Sequence, residues 1–445
     1  MASQTYAMRK AELVRQFAAR SGGVSLRKNT SNLFRDREKP ASHRLDVRAF
    51  DNVLGVDPSQ GWIEAEGMTT YEDLVLAALA CGQMPAVVPQ LKTITLGGAV
   101  AGVGIEATSF RHGLVHHTVR EMEILTGDGS IVLCTPDNEH RDLFCGFPNS
   151  YGTLGYALRV RAATLPVKKF VRMEHERFAD AADYFRAMAA RCDSDADFLD
   201  GVVFDRNELV LTTARFVDEA PAVSDYTFEN IYYRSLLEKT TDYLSAHDYL
   251  WRWDTDWFWC SKNLGAQNSM IRNLYGRERL NSRTYTKIMR WNSRWKLTAM
   301  LDRLTRKHRE SVIQDVDIPI GHAPEFLDFF LREVGILPVW ICPIRTPDPS
   351  PRFSLYPMDP ATTYVNFGFW DVVKSRAEHA PGHFNRLVER KVVELGGIKS
   401  LYSDSYFSRE EFGALYGGDT YRELKSRYDP QNRLRDLYDK CVLKK

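Results

Sequence analysis

The feature that most constrains this chain is a glycine-rich stretch over residues 89–113, which reads PQLKTITLGGAVAGVGIEATSFRHG. Its glycines stand among small or β-branched residues, so few side chains shield the backbone. Glycine permits positive φ and lets main-chain N–H groups approach a ligand closely, and a run of such groups can cradle a pyrophosphate. Taken alone, the stretch is equally consistent with a tight turn or a bulge in a sheet.

A second glycine turn further along the chain favours the ligand-binding interpretation. Residues 147–156 read FPNSYGTLGY, and Gly152 and Gly155 lead into a predicted strand. Neither motif has the G-x-G-x-x-G spacing of a Rossmann fingerprint or the G-x-x-x-x-G-K-[ST] spacing of a P-loop. The sequence therefore predicts a cofactor that is held mostly by loops between strands.

Size and composition exclude several classes of protein. A chain of 445 residues predicts two or three domains. The net charge of +1 gives no reason to expect a nucleic-acid partner. Seven scattered cysteines without a C-x-x-C pair predict reduced thiols in a cytosolic protein, with no metal site. No signal peptide or membrane-spanning run is visible, so we expect a cytoplasmic protein or one held peripherally on the inner face of the membrane.

Charge is distributed unevenly along the chain. Residues 262–309 contain thirteen Lys and Arg against two acidic residues, whereas the remainder carries 46 basic and 56 acidic residues. The same segment also contains Tyr275, Tyr285, Trp291 and Trp295. Cations with interleaved aromatic residues suit an anionic lipid surface. A solvated helix face and a docking face for an acidic protein are the alternatives.

The pattern of predicted elements is that of an α+β protein. Residues up to 169 mix strands with a few helices, and Gly127-Asp128-Gly129 marks a hairpin between two strands. A helix is predicted over 69–81, with Thr69 or Thr70 as its N-cap. The middle of the chain reads as a separate α+β domain that covers a site, and the tail reads as polar helix.

In combination these motifs resemble the vanillyl-alcohol-oxidase-type flavoproteins, whose FAD-binding domain is of the PCMH type, and most closely their sterol Δ24-reductase branch. The matching segments are TLGG at 95–98, GVGIE at 102–106, GL at 113–114, DGS at 128–130, CTP at 134–136, DLF at 142–144, GTLG at 152–155, VIQD at 312–315, PVWICP at 338–343, LYSDSY at 401–406 and REEF at 409–412. The resemblance implies a two-subdomain PCMH-type FAD-binding domain at 1–169, an α+β cap domain at 170–400, and a C-terminal helical segment at 401–445 that closes on the FAD domain.

The resemblance also implies FAD as the cofactor. The residues expected to contact it are Thr30, Ser31, Asn32, Thr95, Gly97, Gly98, Gly102, Gly104, Thr108, Ser109, Gly113, Gly152 and Gly155. For residues 30–32, the residues alone would favour a turn held by its own side chains. Many members attach FAD through a His in the N-terminal loop, which here reads RKNTSN. We therefore expect non-covalent FAD, with His112 and His117 as less favoured attachment points.

The form EHRDLFCGFPNSYGTLGYA resembles bacterial relatives that act on membrane fatty acids together with a methyltransferase similar to cyclopropane-fatty-acid synthase, a SAM enzyme. The expected reaction is reduction of a methylene-branched, phospholipid-linked fatty acyl chain to a methyl-branched one, with NADPH as electron donor. Alternatives are an acyl dehydrogenase of methylated chains in a furan fatty acid pathway, a soluble sterol reductase of the Δ24 type, and a more distant hydroxy-acid dehydrogenase. A flavin-bound or flavin-free scaffold for the methyltransferase is a further alternative. Animal sterol reductases of this family carry an N-terminal anchor that this sequence lacks, so an integral-membrane sterol enzyme is not expected.

Such a reaction needs a proton donor or acceptor beside the flavin in a dry site. The candidate catalytic residues are Tyr402, Asp404, Tyr406, Asp315 and Glu106. For each of them a structural hydrogen bond is an equally good interpretation, and the same holds for Gln314.

The segment 251–259, WRWDTDWFW, contains five aromatic residues, which predict either the wall of an acyl tunnel or an ordinary core. Asp254 and Asp256 stand within it, and buried carboxylates are costly unless they have partners.

Overall fold

Two antiparallel sheets organise the residues that the computed structural model describes, which are 5–29, 44–295, 308–347, 349–375 and 377–444. The prediction of an α+β protein is confirmed. A short parallel pair, β1 (Ser25–Arg27) and β2 (Arg44–Asp46), precedes the first sheet.

The first sheet carries the glycine-rich loop. Its strands are β3 (Val53–Asp57), β4 (Trp62–Glu66), β5 (Gln83–Pro85), β6 (Val119–Leu125), β7 (Ile131–Cys134) and β8 (Tyr156–Pro166). Among the described residues they pair in the order β3–β4–β8–β6–β7, and β5 also pairs with β8. The helices of this part are α1 (Tyr6–Ala18), α2 (Tyr71–Leu79), α3 (Leu96–Ala101), α4 (Ser109–His112) and α5 (Arg141–Gly146). Helix α2 begins after Thr70, whose side chain accepts a hydrogen bond from the Asp73 N–H, which confirms one of the two predicted N-caps.

The second sheet follows in the chain. Its strands are β9 (Phe170–Phe178), β10 (Phe198–Asp205), β11 (Glu208–Val217), β12 (Thr241–Ser245), β13 (His308–Pro319), β14 (Val339–Ile344), β15 (Tyr364–Ser375) and β16 (Ile398–Lys399). In the described part of the chain their order is β12–β9–β11–β10–β14–β15–β13–β16. The helices between them are α6 (Ala181–Arg191), α7 (Tyr232–Ser235), α8 (Ala246–Leu250), α9 (Ser269–Tyr275), α10 (Ser282–Trp295), α11 (Ala323–Glu333) and α12 (His383–Glu394). The predicted basic segment thus contains α9 and α10, and its residues 296–307 lie outside the described residues.

The two faces of this second sheet have different partners, because successive side chains of a strand point to opposite faces. Val316 of β13, Ile341 of β14 and Phe367 of β15 belong to the apolar core formed with α6, α11 and α12. Trp340 and Cys342 of β14, on the other face, belong to the core shared with the first sheet. The second face of β13, β14 and β15 is therefore the one that looks towards the glycine-rich loop.

The C-terminal segment packs on the hairpin of the first sheet. It contains α13 (Arg409–Leu415), α14 (Gly418–Tyr428) and α15 (Leu437–Cys441). The main-chain N–H groups of Gly127 and Asp128 donate to the carbonyl of Tyr428 at 2.8 and 3.2 Å. Asp429 is held by Lys425 Nζ at 2.6 Å and by the Arg433 N–H at 2.7 Å.

The chain leaves the first sheet at Pro166 and enters the second at Phe170. The division into independently folding units at 1–169, 170–400 and 401–445 stays a prediction. Within the described ranges, no helix is both long and apolar enough for a membrane crossing.

The close contact between the hairpin and the C-terminal segment predicts that a methyl group added at Gly127 lowers stability. A Cβ on Gly127 would lie 2.3 Å from Asp429 Cγ, and Asp429 is fixed by its own hydrogen bonds. Gly127→Ala should therefore lower the free energy of unfolding by about 1–3 kcal/mol, as overpacking does, and the melting temperature should fall. Gly413→Ala is the matched control, because a Cβ there meets nothing within 4 Å inside a helix. It should raise stability by about 0.5–1 kcal/mol. Equal melting temperatures for the two variants would contradict this packing.

Candidate active site

A cavity of about 700 Å³ lies between the glycine-rich loop and the second face of the second sheet. That volume is within the range of about 300–1,000 Å³ that is usual for small-molecule and cofactor sites. The cavity is lined by the polar segment after β1, the C-terminal segment, aromatic side chains of the second sheet and a face of α10. Its lining thus combines polar and glycine-rich parts with aromatic side chains.

Seven of the predicted cofactor residues line this cavity together. They are Thr95, Gly97, Gly98, Gly102, Gly104, Gly152 and Gly155. Thr108, Ser109 and Gly113 are not among its lining residues; Ser109 instead accepts a hydrogen bond from the Arg345 N–H through its carbonyl at 3.2 Å. Thr30, Ser31 and Asn32 lie outside the described residues, although the neighbouring Asn29 lines the cavity.

The glycines of the first loop are required by protein packing as well as by ligand access. A Cβ on Gly97 would lie 2.9 Å from the Gly67 carbonyl oxygen, and one on Gly104 would lie 3.0 Å from Pro89 and Val115. The loop is therefore pressed against the first sheet, which turns its other side to the cavity. Gly155 has φ +151° in the second turn, where a Cβ would overlap Ile124.

Cationic side chains from distant parts of the sequence also line the cavity. Lys28 comes from the segment after β1, Arg435 precedes α15, and Lys440 lies on α15. Lys440 Nζ also donates to the Tyr151 carbonyl, which ties α15 to the second glycine turn. Such groups suit a diphosphate. Sequence analysis missed them, because nothing local distinguishes a lysine near the chain end from a solvated one.

Acidic and aromatic side chains form the wall on the second sheet. Asp315 and Asp317 are two residues apart on β13, so both point to the cavity. Asp317 accepts hydrogen bonds from Asn366 Nδ2 at 2.8 Å and from the Tyr356 hydroxyl at 2.6 Å. The period-2 spacing of Asp315 and Asp317 is the signal by which sequence analysis could have found Asp317.

A glycine makes room for this wall. Gly368 of β15 pairs with Asp315 on one side and with Trp340 on the other. A Cβ on Gly368 would lie 2.8 Å from Asp315 Oδ1 and 2.6 Å from the Trp370 ring. The missing side chain is what allows a carboxyl group and an indole to share this position.

Burial changes the protonation of both acids. Burial raises the pKa of Asp315 to about 8, although a hydrogen bond with Tyr402 acts in the opposite direction. Burial also raises the pKa of Asp317 to about 6, against the effect of its bonds to Tyr356 and Asn366. The Trp370 indole N–H donates to the Tyr402 hydroxyl at 2.8 Å, so Tyr402 is oriented between Trp370 and Asp315. Asp315 therefore retains its proton at neutral pH.

Glu106, also predicted as catalytic, lies behind the cavity rather than in its lining. It is fully buried and accepts hydrogen bonds from Arg252 at 2.9 Å and from Gln90. Arg252 also contacts Asp200 at 2.7 Å, and Asp200 accepts from the Trp340 indole at 3.2 Å. Burial raises the pKa of Glu106, and the nearby Arg252 lowers it. This buried cluster joins the glycine-rich loop to the second sheet.

The structure does not bring the remaining catalytic candidates to the cavity. Asp404 forms an ion pair with Lys444 at 2.8 Å. Tyr406 packs beneath the Arg386 guanidinium, which lies 4.9 Å from its ring centre. Gln314 points to the helical face of the second sheet, where its amide donates to Asn385 at 2.6 Å.

The aromatic segment 251–259 divides between the cavity wall and the core. Trp257 and Phe258 line the cavity, with φ of +45° and +60°, whereas the other three aromatic side chains are buried in the core. Positive φ is unusual for bulky residues, and such strain concentrates at ligand sites. The two carboxylates of this segment both have partners. Asp254 accepts a hydrogen bond from Ser282, and Asp256 forms an ion pair with Arg272 at 2.7 Å.

The polar atoms of the cavity fit a flavin ring. Among the described residues, Gln90 Oε1, Asp315 Oδ1 and Asn366 Oδ1 are buried without a hydrogen-bond partner, and all three residues line the cavity. Buried polar atoms normally find partners, and an isoalloxazine ring carries both donors and acceptors along one edge. The glycine turns and the cations Lys28, Arg435 and Lys440 supply the complementary groups for a diphosphate.

Comparison with known proteins agrees with this geometry. Residues 10–135 match the family described as FAD binding domain. The chain is 26% identical to the Delta(24)-sterol reductase of Homo sapiens over 417 residues, which cover 90% of this chain and 78% of that protein. It is 23% identical to the Delta(24)-sterol reductase of Arabidopsis thaliana, over 91% of this chain and 77% of that protein. A shorter similarity, 31% over 33% of this chain and 28% of that protein, links it to Cytokinin dehydrogenase 7 of Oryza sativa subsp. japonica.

The family match and the similarities to the sterol reductases cover the glycine-rich loop, and the similarities to the sterol reductases cover most of the second sheet's sequence as well. The predicted PCMH-type fold and FAD cofactor are confirmed. The protein is an FAD-binding flavoprotein and an FAD-dependent oxidoreductase, and its sequence is similar to those of sterol Δ24-reductases over nine-tenths of its length.

Proposed function

We propose that this protein reduces an isolated carbon–carbon double bond in a branched lipid chain, and that Asp315 donates the proton. The observation that carries the proposal is a carboxyl group with a pKa of about 8 in the aromatic wall of the flavin cavity. A neutral carboxylic acid in that position can give a proton to carbon at neutral pH.

The chemistry divides between the cofactor and the chain. When bound in its reduced form, FAD would supply a hydride to one carbon of the double bond. The chain must supply a proton to the other carbon, so that one C=C bond becomes one CH–CH bond and Asp315 is left as a carboxylate. The Tyr402 hydroxyl bonds to Asp315 and stabilises that carboxylate until it regains a proton.

The aromatic part of the cavity wall suits an alkene, which is a poor base and needs a dry site. This part consists of Trp257, Phe258, Trp340 and Trp370. The strained backbone at Trp257 and Phe258 holds two of these rings in place. The cavity wall thus offers large apolar surface and one neutral acid.

Two substrate classes are consistent with this chemistry. Similarity to Delta(24)-sterol reductases over nine-tenths of the chain supports a sterol-type side chain. Arg283 and Lys287 also line the cavity, and these cations support a phospholipid-linked, methylene-branched fatty acyl chain with an anionic headgroup. Both substrates present a branched alkene in a long apolar chain.

The remaining features of the function are also proposals. We propose that FAD is bound non-covalently, because no histidine of the described residues lines the cavity. We propose NADPH as the electron donor, since the sterol relatives are named as reductases. A cyclopropane-synthase-like SAM methyltransferase as partner and a cytoplasmic, peripherally membrane-bound location follow from the fatty acyl alternative. The net charge of +1 gives no reason to propose a nucleic-acid partner.

One experiment tests the cofactor and the substrate class together. The purified protein should be yellow, and acid precipitation should release all of its flavin. After anaerobic reduction, a methylene-branched phospholipid and a Δ24-sterol, each dispersed in detergent, should be compared as oxidants of the flavin. The active substrate should gain two hydrogens by mass spectrometry. Desaturation of a methyl-branched chain instead would reverse the proposed direction, and a colourless protein that still binds the methyltransferase would indicate a scaffold.

Replacement of Asp315 tests the proton donor. Asp315→Asn should slow reoxidation of the reduced flavin by the alkene by about 10²–10⁴-fold, the usual contribution of general acid catalysis. Reduction of the flavin by the electron donor should stay unchanged. Asp205→Asn is the control, since Asp205 is an exposed carboxylate at the end of β10 on the same sheet. Rapid-mixing absorbance at the flavin band measures both half-reactions, and equal alkene rates for the two variants would exclude Asp315.

The same residue predicts a pH profile. Only the protonated acid can donate, so the alkene half-reaction should be constant below about pH 8 and fall tenfold per pH unit above it. Between pH 3.8 and about 8, Asp315 is protonated in the folded protein but ionised in the unfolded chain. The free energy of unfolding should therefore decrease as pH rises through that window. A rate limb near pH 8 that persists in Asp315→Asn would belong to another group.

A further inference from the structure

Helix α9 exposes large apolar side chains. Met270 and Leu274 are 74% and 80% exposed, and Ile271 beside them is 39% exposed. Positions 270, 271 and 274 share one side of the helix, because residues three and four apart are neighbours. Contiguous apolar surface of this kind marks an interaction site far more often than an isolated exposed leucine does.

The exposure is built into the fold. Arg272 of the same helix points inward, forms an ion pair with Asp256 at 2.7 Å and donates to the Ala266 carbonyl at 3.0 Å. The Asn268 side chain caps the helix by accepting from the Met270 N–H at 3.0 Å. A helix anchored by its polar residue must present its apolar residues outward.

Exposed cations follow directly in the chain. Residues 262–288 contain six Lys and Arg and one acidic residue. Arg277 pairs with Asp225, and Arg283 pairs with Glu72. Arg279 and Lys287 are exposed, and the part of the chain that the structure describes offers neither of them a carboxylate partner. We name Met270, Ile271, Leu274, Arg279 and Lys287 together the docking surface.

One residue of the docking surface, Lys287, also lines the flavin cavity. Arg283, Thr286 and Lys287 of α10 line the cavity, and two of them are exposed, so the cavity reaches the molecular surface there. Tyr285, on the buried side of α10, stacks parallel to Trp257 with ring centres 6.3 Å apart. Behind the exposed cations of α10 therefore stands the aromatic wall that the substrate must reach.

We infer that the docking surface binds an anionic bilayer and opens the cavity directly to the lipid layer. Apolar side chains flanked by cations match the two zones of such an interface, since the former enter the acyl region and the latter stay among headgroup phosphates. A partner that offered only acidic groups would satisfy Arg279 and Lys287 but leave Met270 and Leu274 without apolar contacts. The inference rests on the proposed lipid substrate and adds the route by which it enters.

Vesicle sedimentation of the purified flavoprotein tests the inference without turnover. The protein should sediment with vesicles that contain phosphatidylglycerol, and much less with pure phosphatidylcholine, and rising salt should weaken binding. Met270→Ser with Leu274→Ser should reduce binding at least tenfold. Arg279→Gln with Lys287→Gln should reduce it and flatten its salt dependence.

The matched control is Leu133→Ser with Val393→Ser, because both residues are exposed apolar side chains on other elements, at 42% and 43%. This control should bind like the unaltered protein, and the flavin spectrum of every variant checks its fold. Unaltered binding by the Met270/Leu274 variant, or no binding by the parent protein, would overturn the inference. A dimer that this variant converts to monomer without any vesicle binding would assign the surface to a second copy and also overturn it. Turnover of detergent-dispersed substrate tests the proposed function separately.

Discussion

The contact between the two halves of the site depends on one buried arginine. Arg252 bridges Glu106 of the glycine-rich loop and Asp200 of the second sheet, with its side chain fully buried. Two carboxylates brought this close inside a protein would repel each other, and each would carry a large desolvation penalty without the guanidinium. Loss of one partner in such a cluster typically costs about 3–5 kcal/mol. This charged cluster, together with the main-chain bonds from Leu199 to Ala107 and from Arg345 to Ser109, holds the loop that carries the cofactor groups against the sheet that carries Asp315.

Strand alternation then decides what the cavity contains. Strands β13, β14 and β15 bury Val316, Ile341 and Phe367 under helices, and their alternate residues face the glycine-rich loop. At the centre of that second face Gly368 leaves space for Asp315 and Trp370. Burial in this wall removes Asp315 from water and keeps its carboxyl group protonated. The packing that makes the wall apolar therefore also provides the proton donor.

Sequence motifs predicted the α+β class, the PCMH-type flavin domain and seven glycine or threonine residues that line the cavity. These features could be predicted because they are local, since a turn or a helix cap needs a particular residue at a particular spacing. The catalytic candidates divided differently. Asp315 and Tyr402 line the cavity, whereas Asp404 and Tyr406 do not, although all four lie in motifs of the same resemblance. Asp404 instead finds Lys444, a partner near the far end of the chain. The cations Lys28 and Lys440 were missed for the same reason.

The sequence by itself determined that this is a flavoprotein, since the glycine spacing and the recurring segments restrict the backbone whatever the rest of the chain does. Only the tertiary structure decided which side chains meet the cofactor. Protonation of Asp315 depends on its burial by residues from β15 and from the segment after β16. Which aromatic residues of the segment 251–259 line the cavity and which lie in the core depends on how that segment folds across the second sheet. Burial and long-range pairing are properties of packing, and no local pattern encodes them.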